Sequence, residues 1–336
     1  MGSLKALTLA GGVALAASTA ARAADLPPPP MPAPAPVMAA DYSGWYLRGD
    51  VGIGMHRNPD LRMSPDPLTQ LSNGCGGIDA NGNQDCVSGL AGTYNFHNQR
   101  LSQSTFVSLG VGYQLNSWLR GDATLEWRGG AHLSAVDQLL VSGAYTQNWY
   151  DQNGGYIGSS VPRGFNQPLR NFYRANVSSI VALVNGYVDL GTWMGITPYV
   201  GVGVGLAHNR ITGLTDNGFS YNTLNGVGSP TGGYWLDGKK TNFAWALMAG
   251  LGYQVNEKLK LELGYRYMNL GKMNSGASRC FNGTGATGGF AACDFKLSTR
   301  SIESHDVRIG MRWMLGETAA AAPVFYQPSG PLVRKY

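Results

Sequence analysis

The sequence predicts an all-β fold, an eight-stranded antiparallel up-and-down transmembrane β-barrel with short periplasmic turns and four long extracellular loops. Three observations predict it: strict alternation of apolar and polar residues, an export signal at the start, and a regular exchange of short and long connections. The composition agrees, because 48 glycines and only 13% charged residues are typical of a glycine-rich β protein rather than a soluble enzyme of 336 residues.

The segment from Phe243 to Leu270 shows the alternation most clearly. Bulky apolar residues occupy every second position, and the positions between them hold glycines and scattered charges. A period of two is that of a strand. A soluble sheet would bury the bulky row, whereas a membrane barrel turns it toward lipid and keeps the polar row inside. Eight such strands are predicted, at 43–55, 104–115, 118–128, 175–190, 196–208, 242–255, 258–270 and 303–315.

The first 23 residues read as a secretory signal peptide, which favours the membrane interpretation. Lys5 precedes an apolar stretch at 6–17, and Ala21-Arg22-Ala23 has the small-x-small form of a cleavage site. That stretch is too short for a membrane helix, and no later stretch approaches the roughly 20 apolar residues that one requires. The net charge of +5 falls to +3 once Lys5 and Arg22 are removed, which gives no reason to expect a nucleic-acid partner.

The connections between strands alternate in length. Short turns are expected at 116–117, 191–195 and 256–258, and long unstructured loops at 56–103, 129–174, 209–241 and 271–302. Alternation of this kind is typical of an outer-membrane barrel. The predicted organisation is a signal peptide at 1–23, a Pro-rich periplasmic tether at 24–42, the barrel at 43–316 and a C-terminal periplasmic tail at 317–336.

Four cysteines lie within the first and fourth long loops. Because the compartment is oxidising and no C-x-x-C metal pair occurs, they indicate disulfides. Three connectivities are possible, and we favour Cys75–Cys86 and Cys280–Cys293, since each closes a short loop.

The polar row predicts what fills the barrel. Its charged members are Arg48, Asp50, Arg120, Asp122, Glu126, Arg128, Asp189, Lys260, Glu262, Arg266, Asp306, Arg308 and Arg312, seven basic and six acidic. An eight-stranded barrel is only wide enough for its own side chains, and an unpaired buried ion costs several kcal/mol. Near-balance of the two signs therefore predicts a salt-bridge network, whereas a selective channel requires a ring of one sign.

Aromatic residues are expected to form two girdles at the lipid interfaces. Their predicted members are Trp45, Tyr113, Trp118, Tyr253 and Trp313 at the periplasmic end and Trp127, Phe243, Trp245 and Tyr267 at the other.

The predicted strands resemble those of the eight-stranded OmpA/OmpX-type outer-membrane barrels, in particular the alphaproteobacterial outer membrane immunogenic or porin-family proteins. The segments that carry the resemblance include "GWYLRGDVGIG", "GYQLNSWLRGDATLEWR" and "SHDVRIGMRWML". The resemblance covers the strands of 41–315, not the loops. It implies a bacterial outer-membrane location, with outer-membrane lipid, lipopolysaccharide and the barrel assembly machinery as partners.

Function is predicted less sharply. No nucleophile–base set stands out, so we expect no enzyme activity and no cofactor. The leading hypothesis is a structural barrel and surface antigen that supports envelope integrity; the alternatives are a narrow porin-like channel and loop-mediated binding of haemin or a host surface. His56, His132 and His208 are candidates for a haem rim, as the resemblance suggests. The resemblance also implies that Ala24, the expected mature N-terminus, is a candidate attachment point for peptidoglycan, with a plain flexible leader as the alternative.

Overall fold

A computed structural model describes residues 43–224, 226–281 and 289–315. In those ranges no helix is long and apolar enough to cross a membrane. A single 3₁₀ turn occupies Pro67–Gln70 in the same ranges. The strands are β1 (Gly44–His56), β2 (Leu61–Ser64), β3 (Gly74–Cys75), β4 (Asn83–Leu101), β5 (Ser104–Gln114), β6 (Leu119–Tyr150), β7 (Tyr156–Ser159), β8 (Arg163–Asp189), β9 (Ile196–Asn222), β10 (Val227–Trp235), β11 (Gly238–Gln254), β12 (Leu259–Asn269), β13 (Ser278–Phe281), β14 (Phe290–Ala292), β15 (Lys296–Thr299) and β16 (Glu303–Met314).

Eight of these strands pair in a closed antiparallel ring. The order around the ring is β1, β5, β6, β8, β9, β11, β12, β16 and back to β1. Every backbone edge is therefore satisfied, which is the condition for a sheet to stand in lipid. The predicted all-β fold is confirmed, and each of the eight predicted strands lies within or overlaps one member of this ring.

The outward row of the ring is apolar, and the inward row is polar. On β5, for example, Val107, Leu109 and Val111 are exposed while Ser108 and Gln114 are buried. The predicted girdle residues at the turn end are exposed as well, and Trp45 packs edge-on against Tyr113 at a centroid separation of 5.3 Å. An apolar belt bounded by aromatic rings is the surface that a barrel presents to lipid.

A bulge formed by Gly129 and Gly130 changes which alternate residues of β6 point into the barrel. The register with β8 gains one residue between Arg128 and Ala131, and Gly130 has a φ of +77°, a conformation that suits glycine. Before the bulge the inward residues are charged and the outward ones apolar. After it, the inward residues Ala131 and Leu133 are apolar and buried. The strand thus leaves the lipid zone and continues as a sheet with an ordinary apolar interior.

Buried apolar residues form a cluster, here called the outer core, which extends from Leu183 and Val181, the β8 partners of Thr124 and Glu126, past the bulge. Its buried members are Leu61, Leu101, Ala131, Leu133, Ala135, Tyr173, Ala175, Val177, Val181, Leu183, Ala207, Ile211, Leu214, Trp235, Ala244, Ala246, Met268, Leu270, Met273, Leu297 and Ile302. Each buried Leu, Ile or Met side chain contributes about 1.5–3 kcal/mol relative to an exposed one. The outer core therefore stabilises the half of the molecule opposite the tight turns.

The predicted lengths of three strands were wrong, and so was the prediction that the long connections are unstructured. β6, β8 and β9 have 32, 27 and 27 residues, where the sequence predicted strands of 11 to 16 residues. The outer core explains the difference, because it gives the extended strands an apolar face to bury. Within the long connections, β4 pairs with β6, and β10 pairs with both β9 and β13.

Both predicted disulfides are confirmed. Cys75 and Cys86 join β3 to β4, and Cys280 in β13 joins Cys293, which follows β14. These are the outermost strands of the extended sheet, whose path ends in β3 on one side and in β14 on the other. The covalent bonds therefore hold the two sheet edges that have the fewest neighbours.

Candidate functional site: the charged barrel interior

Four side chains from three strands form the outer layer of the interior. Arg128 lies 2.9 Å from a Glu126 oxygen and 2.7 Å from an Asp306 oxygen, and Arg266 lies 2.6 Å and 2.8 Å from the same two carboxylates. Ser304 adds hydrogen bonds to both Arg128 and Asp306. All four charged side chains are at most 4% exposed. Two cations and two anions thus form a closed, neutral ring, called here the outer tier.

A larger group, the inner tier, lies toward the turn end of the barrel and is arranged around Glu262. This carboxylate is within 3.0 Å of Arg48 and within 3.3 Å of both Arg120 and Arg312. Arg48 also reaches Asp50 and Asp122, at 2.8 Å and 3.1 Å.

Arg120 extends the inner tier to Asp189 on β8, at 3.1 Å. Its carboxylate partners are Asp189 and Glu262, not the neighbouring Asp122, which is held by Arg48. Each inner-tier carboxylate that accepts these bonds is buried. Pairing with an opposite charge offsets part of the free-energy cost of burying each of these ions.

Aromatic rings fill the space between the guanidinium groups. The Arg120 guanidinium lies 4.1 Å from the Tyr187 ring centre and 4.8 Å from that of Tyr199. In the outer tier, Phe106 is 4.9 Å from the Arg128 guanidinium and 5.0 Å from that of Arg266. Rings stabilise cations by the negative charge of their faces and also exclude water. The barrel interior is therefore densely packed, with guanidinium groups lying against aromatic rings.

Glycines of the inward row make room for these rings. A Cβ at Gly112 would overlap the Tyr46 ring, and a Cβ at Gly264 would lie 2.7 Å from the Tyr199 hydroxyl. The inward glycines therefore leave space for large side chains that belong to the same or nearby strands of the ring.

Two predicted interior residues differ from the rest. Arg308 is buried, and its guanidinium donates to the Tyr199 hydroxyl at 3.4 Å; within the described part of the chain it has no carboxylate within salt-bridge distance. Lys260 is half-buried near the turn end of β12. The other eleven predicted residues are buried and belong to one of the two tiers.

The outer core closes the barrel above the outer tier. β2 and β15 pair into a small sheet of their own, which brings buried Leu61 and Leu297 into the outer core. The chain on either side is fastened by hydrogen bonds: Ser275 and Leu297 bond reciprocally, and the buried Asn209 amide donates to Leu270 and Lys272 carbonyls at 2.8 Å and 3.1 Å. Two layers of different chemistry, apolar above and ionic below, thus occupy the barrel axis.

The predicted histidine rim is not brought together. His56, His132 and His208 lie on β1, β6 and β9, which are not neighbours in the ring. Each ring bonds to an adjacent strand, through Ser104, Asn176 and Thr241 respectively. Among the residues that the structure describes, no group of three His, Cys, Asp or Glu could hold a metal ion. Haem binding by these residues stays a prediction, and Ala24 lies outside the described ranges.

Interpretation of the sequence missed the aromatic members of the interior. Tyr46, Tyr187 and Phe106 have the same parity as charged inward residues on their own or paired strands, so the signal was present. It was overlooked because large aromatic residues were assigned to the lipid girdles.

Comparison with known proteins places the chain among bacterial outer-membrane proteins. A family model described as the outer membrane protein beta-barrel domain matches residues 8–292. An uncharacterized protein of Brucella abortus is 29% identical over 69% of this chain and 70% of its own length. A putative adhesin of Rickettsia prowazekii is 25% identical over 80% of this chain and 86% of its own length. Among solved structures, Neisserial surface protein A shares 15% identity at a TM-score of 0.32, covering 81% of this chain and 97% of that one.

Proposed function

The chain belongs to the outer membrane protein beta-barrel domain family, and from this premise we propose that it is a non-conducting structural barrel that supports the outer membrane and carries a folded extracellular β-structure. One observation carries the proposal: two sets of side chains, the ion-paired tiers and the outer core, occupy the interior of the barrel. A solute would have to break both layers to pass.

The charge arrangement argues against the alternative of a narrow channel. Selective pores are lined by rings of one sign, which attract an ion and release it again. Here each tier interleaves both signs, and the outer tier is neutral by itself. Opening a path would separate buried ion pairs, at a cost of about 3–5 kcal/mol for each one broken.

Planar-bilayer recording of the purified protein tests the proposal. We expect no stable ohmic openings from single molecules under conditions in which a general porin conducts. A variant in which a short Gly-Ser turn replaces 271–302 removes Met273, Leu297 and Ile302 from the outer core but keeps both tiers, and we expect it to stay closed. Stable openings of the unaltered protein comparable with those of the porin would overturn the proposal.

Binding through the extracellular surface is a second candidate function, which exposed apolar residues at its far end favour. Tyr156, Ile157 and Val161 lie in and beside β7 and are 61%, 66% and 82% exposed. Such residues on a surface mark contact sites, and a relative named a putative adhesin supports this reading. We expect bacteria that display the protein to adhere to host-cell monolayers, and the Tyr156→Ser, Ile157→Ser, Val161→Ser triple variant to lose that adherence. Equal adherence of both would contradict this function.

Attachment to the cell wall is the remaining part of the proposal. The chain enters β1 at Gly44, which pairs with Gln114 at the end of β5 where the tight turns lie. In an outer-membrane barrel that end faces the periplasm. The preceding Pro-rich residues 24–42 therefore start on the side where peptidoglycan is found.

A further inference from the structure

A cavity in the extracellular half holds two buried carboxylates without a cationic partner. Its volume is about 220 Å³, and its walls include Tyr94, Asp137, Tyr173, Asp216 and Trp235. Asp137 and Asp216 are only 2% and 8% exposed. Neither takes part in a salt bridge with any described residue, and the seven residues at 282–288 contain no charged side chain.

The two carboxylates differ in how far their neighbours satisfy them. Asp137 accepts four hydrogen bonds: from the hydroxyls of Tyr94 at 3.0 Å and Tyr173 at 2.7 Å, and from the backbone and side-chain nitrogens of Asn171 at 3.1 Å and 3.0 Å. Oδ1 of Asp216 is buried and has no hydrogen-bond partner among the described atoms. A buried oxygen of this kind costs free energy unless a donor reaches it.

Asp216 also lines a second cavity of about 310 Å³, which shares Thr231, Gly232 and Phe281 with the first. At Gly232 a Cβ would come within 3.1 Å of this same Oδ1, and the φ of +128° there suits glycine. The backbone thus leaves space beside the carboxylate.

We propose that this cavity binds a small organic cation with a primary ammonium group, which donates to Asp216 while its carbon chain packs on Tyr94, Tyr173 and Trp235. A charge-assisted hydrogen bond supplies the missing donor, and aromatic faces attract cations. A hard metal ion fits less well, since calcium takes six to eight oxygen ligands. The described residues offer one unsatisfied carboxylate oxygen here, and no group of three acidic, His or Cys side chains.

The environment of Asp216 makes the binding pH-dependent. Burial, and then the negative charge of Asp137 on β6, raise the pKa of Asp216 to about 6. Burial likewise raises the pKa of Asp137, and the pKa values of Tyr94 and Tyr173 rise above their usual 10, so the two phenols remain neutral. A carboxylate attracts an ammonium only when ionised. The affinity is therefore present above pH 6 and is lost as the pH falls through that value.

Titration calorimetry of the purified protein in detergent tests the proposal with n-butylammonium as the probe and n-butanol as its neutral counterpart. We expect binding of n-butylammonium at pH 7.5, at least tenfold weaker binding at pH 5, and no measurable binding of n-butanol. These comparisons use the unaltered protein and so do not depend on the folding of a variant. Equal heats for the two probes, or no heat for either, would overturn the proposal.

Substitution identifies the carboxylate responsible. Asp216→Asn keeps the shape but removes the charge, and we expect at least a tenfold loss of affinity for n-butylammonium. Asp60→Asn is the matched control, because Asp60 is an exposed carboxylate that pairs, among the described residues, with Arg62 at 3.3 Å. The Asp60→Asn variant should bind n-butylammonium with the same affinity as the parent protein. Heat-dependent gel mobility verifies that both variants are folded, and retained affinity in folded Asp216→Asn would refute the assignment.

Discussion

At the residue scale, the outer tier depends most on Asp306. This side chain is fully buried and contacts Arg128 at 2.7 Å and 3.0 Å and Arg266 at 2.8 Å and 2.9 Å. We expect Asp306→Asn to lower the free energy of unfolding by about 3–5 kcal/mol, because two buried cations would then share one carboxylate. Equilibrium unfolding in detergent, monitored through heat-dependent gel mobility, measures the loss of unfolding free energy.

An exposed ion pair provides the control for that substitution. Arg57 and Glu303 are 3.3 Å apart, with the Arg57 side chain 74% exposed. Surface pairs contribute about 0–1 kcal/mol, so Arg57→Ala should unfold nearly as the parent does. If Asp306→Asn and Arg57→Ala had equal effects, the outer tier would not be a source of stability.

The charged residues of the interior could be predicted, but their partners could not. Parity along a strand is a local property, so Arg266 and Glu126 were each assigned to the interior from their own segments. The bond between them joins residues 140 positions apart in the chain and crosses the barrel. Which carboxylate meets which guanidinium depends on strand stagger, and no single strand encodes that stagger.

At the scale of elements, the bulge on β6 decides where the membrane barrel ends. Because successive side chains alternate between faces, one extra residue reverses every later position. The sequence analysis ended this strand at 128 and assigned 129–174 to a long loop. The inverted pattern beyond the bulge, with Ala131 and Leu133 inside, was consequently assigned to that loop.

Deleting Gly130 tests the role of the bulge. We expect the barrel to insert and keep its heat-dependent mobility, while residues 131–150 turn their apolar row outward and the extracellular strands become sensitive to external protease. Inserting one glycine after Gln152, in the exposed turn that follows β6, shifts no long strand and should leave the protection intact. An unchanged cleavage pattern in the deletion variant would show that the register is set elsewhere.

The Cys75–Cys86 disulfide should stabilise the β3 edge of the extended sheet and should not be required for barrel assembly. β3 contains two residues and pairs only with β4 among the described strands, so little else holds it. We expect the Cys75→Ser, Cys86→Ser variant to assemble normally but to be cut faster by external protease within 57–103. The Cys280→Ser, Cys293→Ser variant should retain the parental rate there. Finding both pairs reduced in intact cells would contradict a structural role for either.

At the scale of the whole molecule, the remaining question is whether the barrel is joined to the cell wall. Signal cleavage after Ala23 would free an α-amine on Ala24, and such amines titrate at about 7.7–8.0, so a reactive neutral fraction exists near neutral pH. An extended Pro-rich chain rises ~3.1 Å per residue, so the nineteen residues at 24–42 span about 60 Å.

We expect a fraction of the protein to remain with boiled, detergent-washed peptidoglycan and to be released by a muramidase with a muropeptide on Ala24. The amine is the nucleophile that an acyl-transferring wall enzyme requires, and the Pro-rich composition of 27–36 favours an extended spacer after it. Deleting 27–36 should reduce the bound fraction without changing the heat-dependent mobility of the barrel, because β1 begins only at Gly44. Replacing the same ten residues with a Gly-Ser run of equal length separates stiffness from length, since a flexible chain spans less distance than an extended one. An N-terminal peptide that always has its unmodified mass in the wall fraction would leave the barrel anchored by lipid alone.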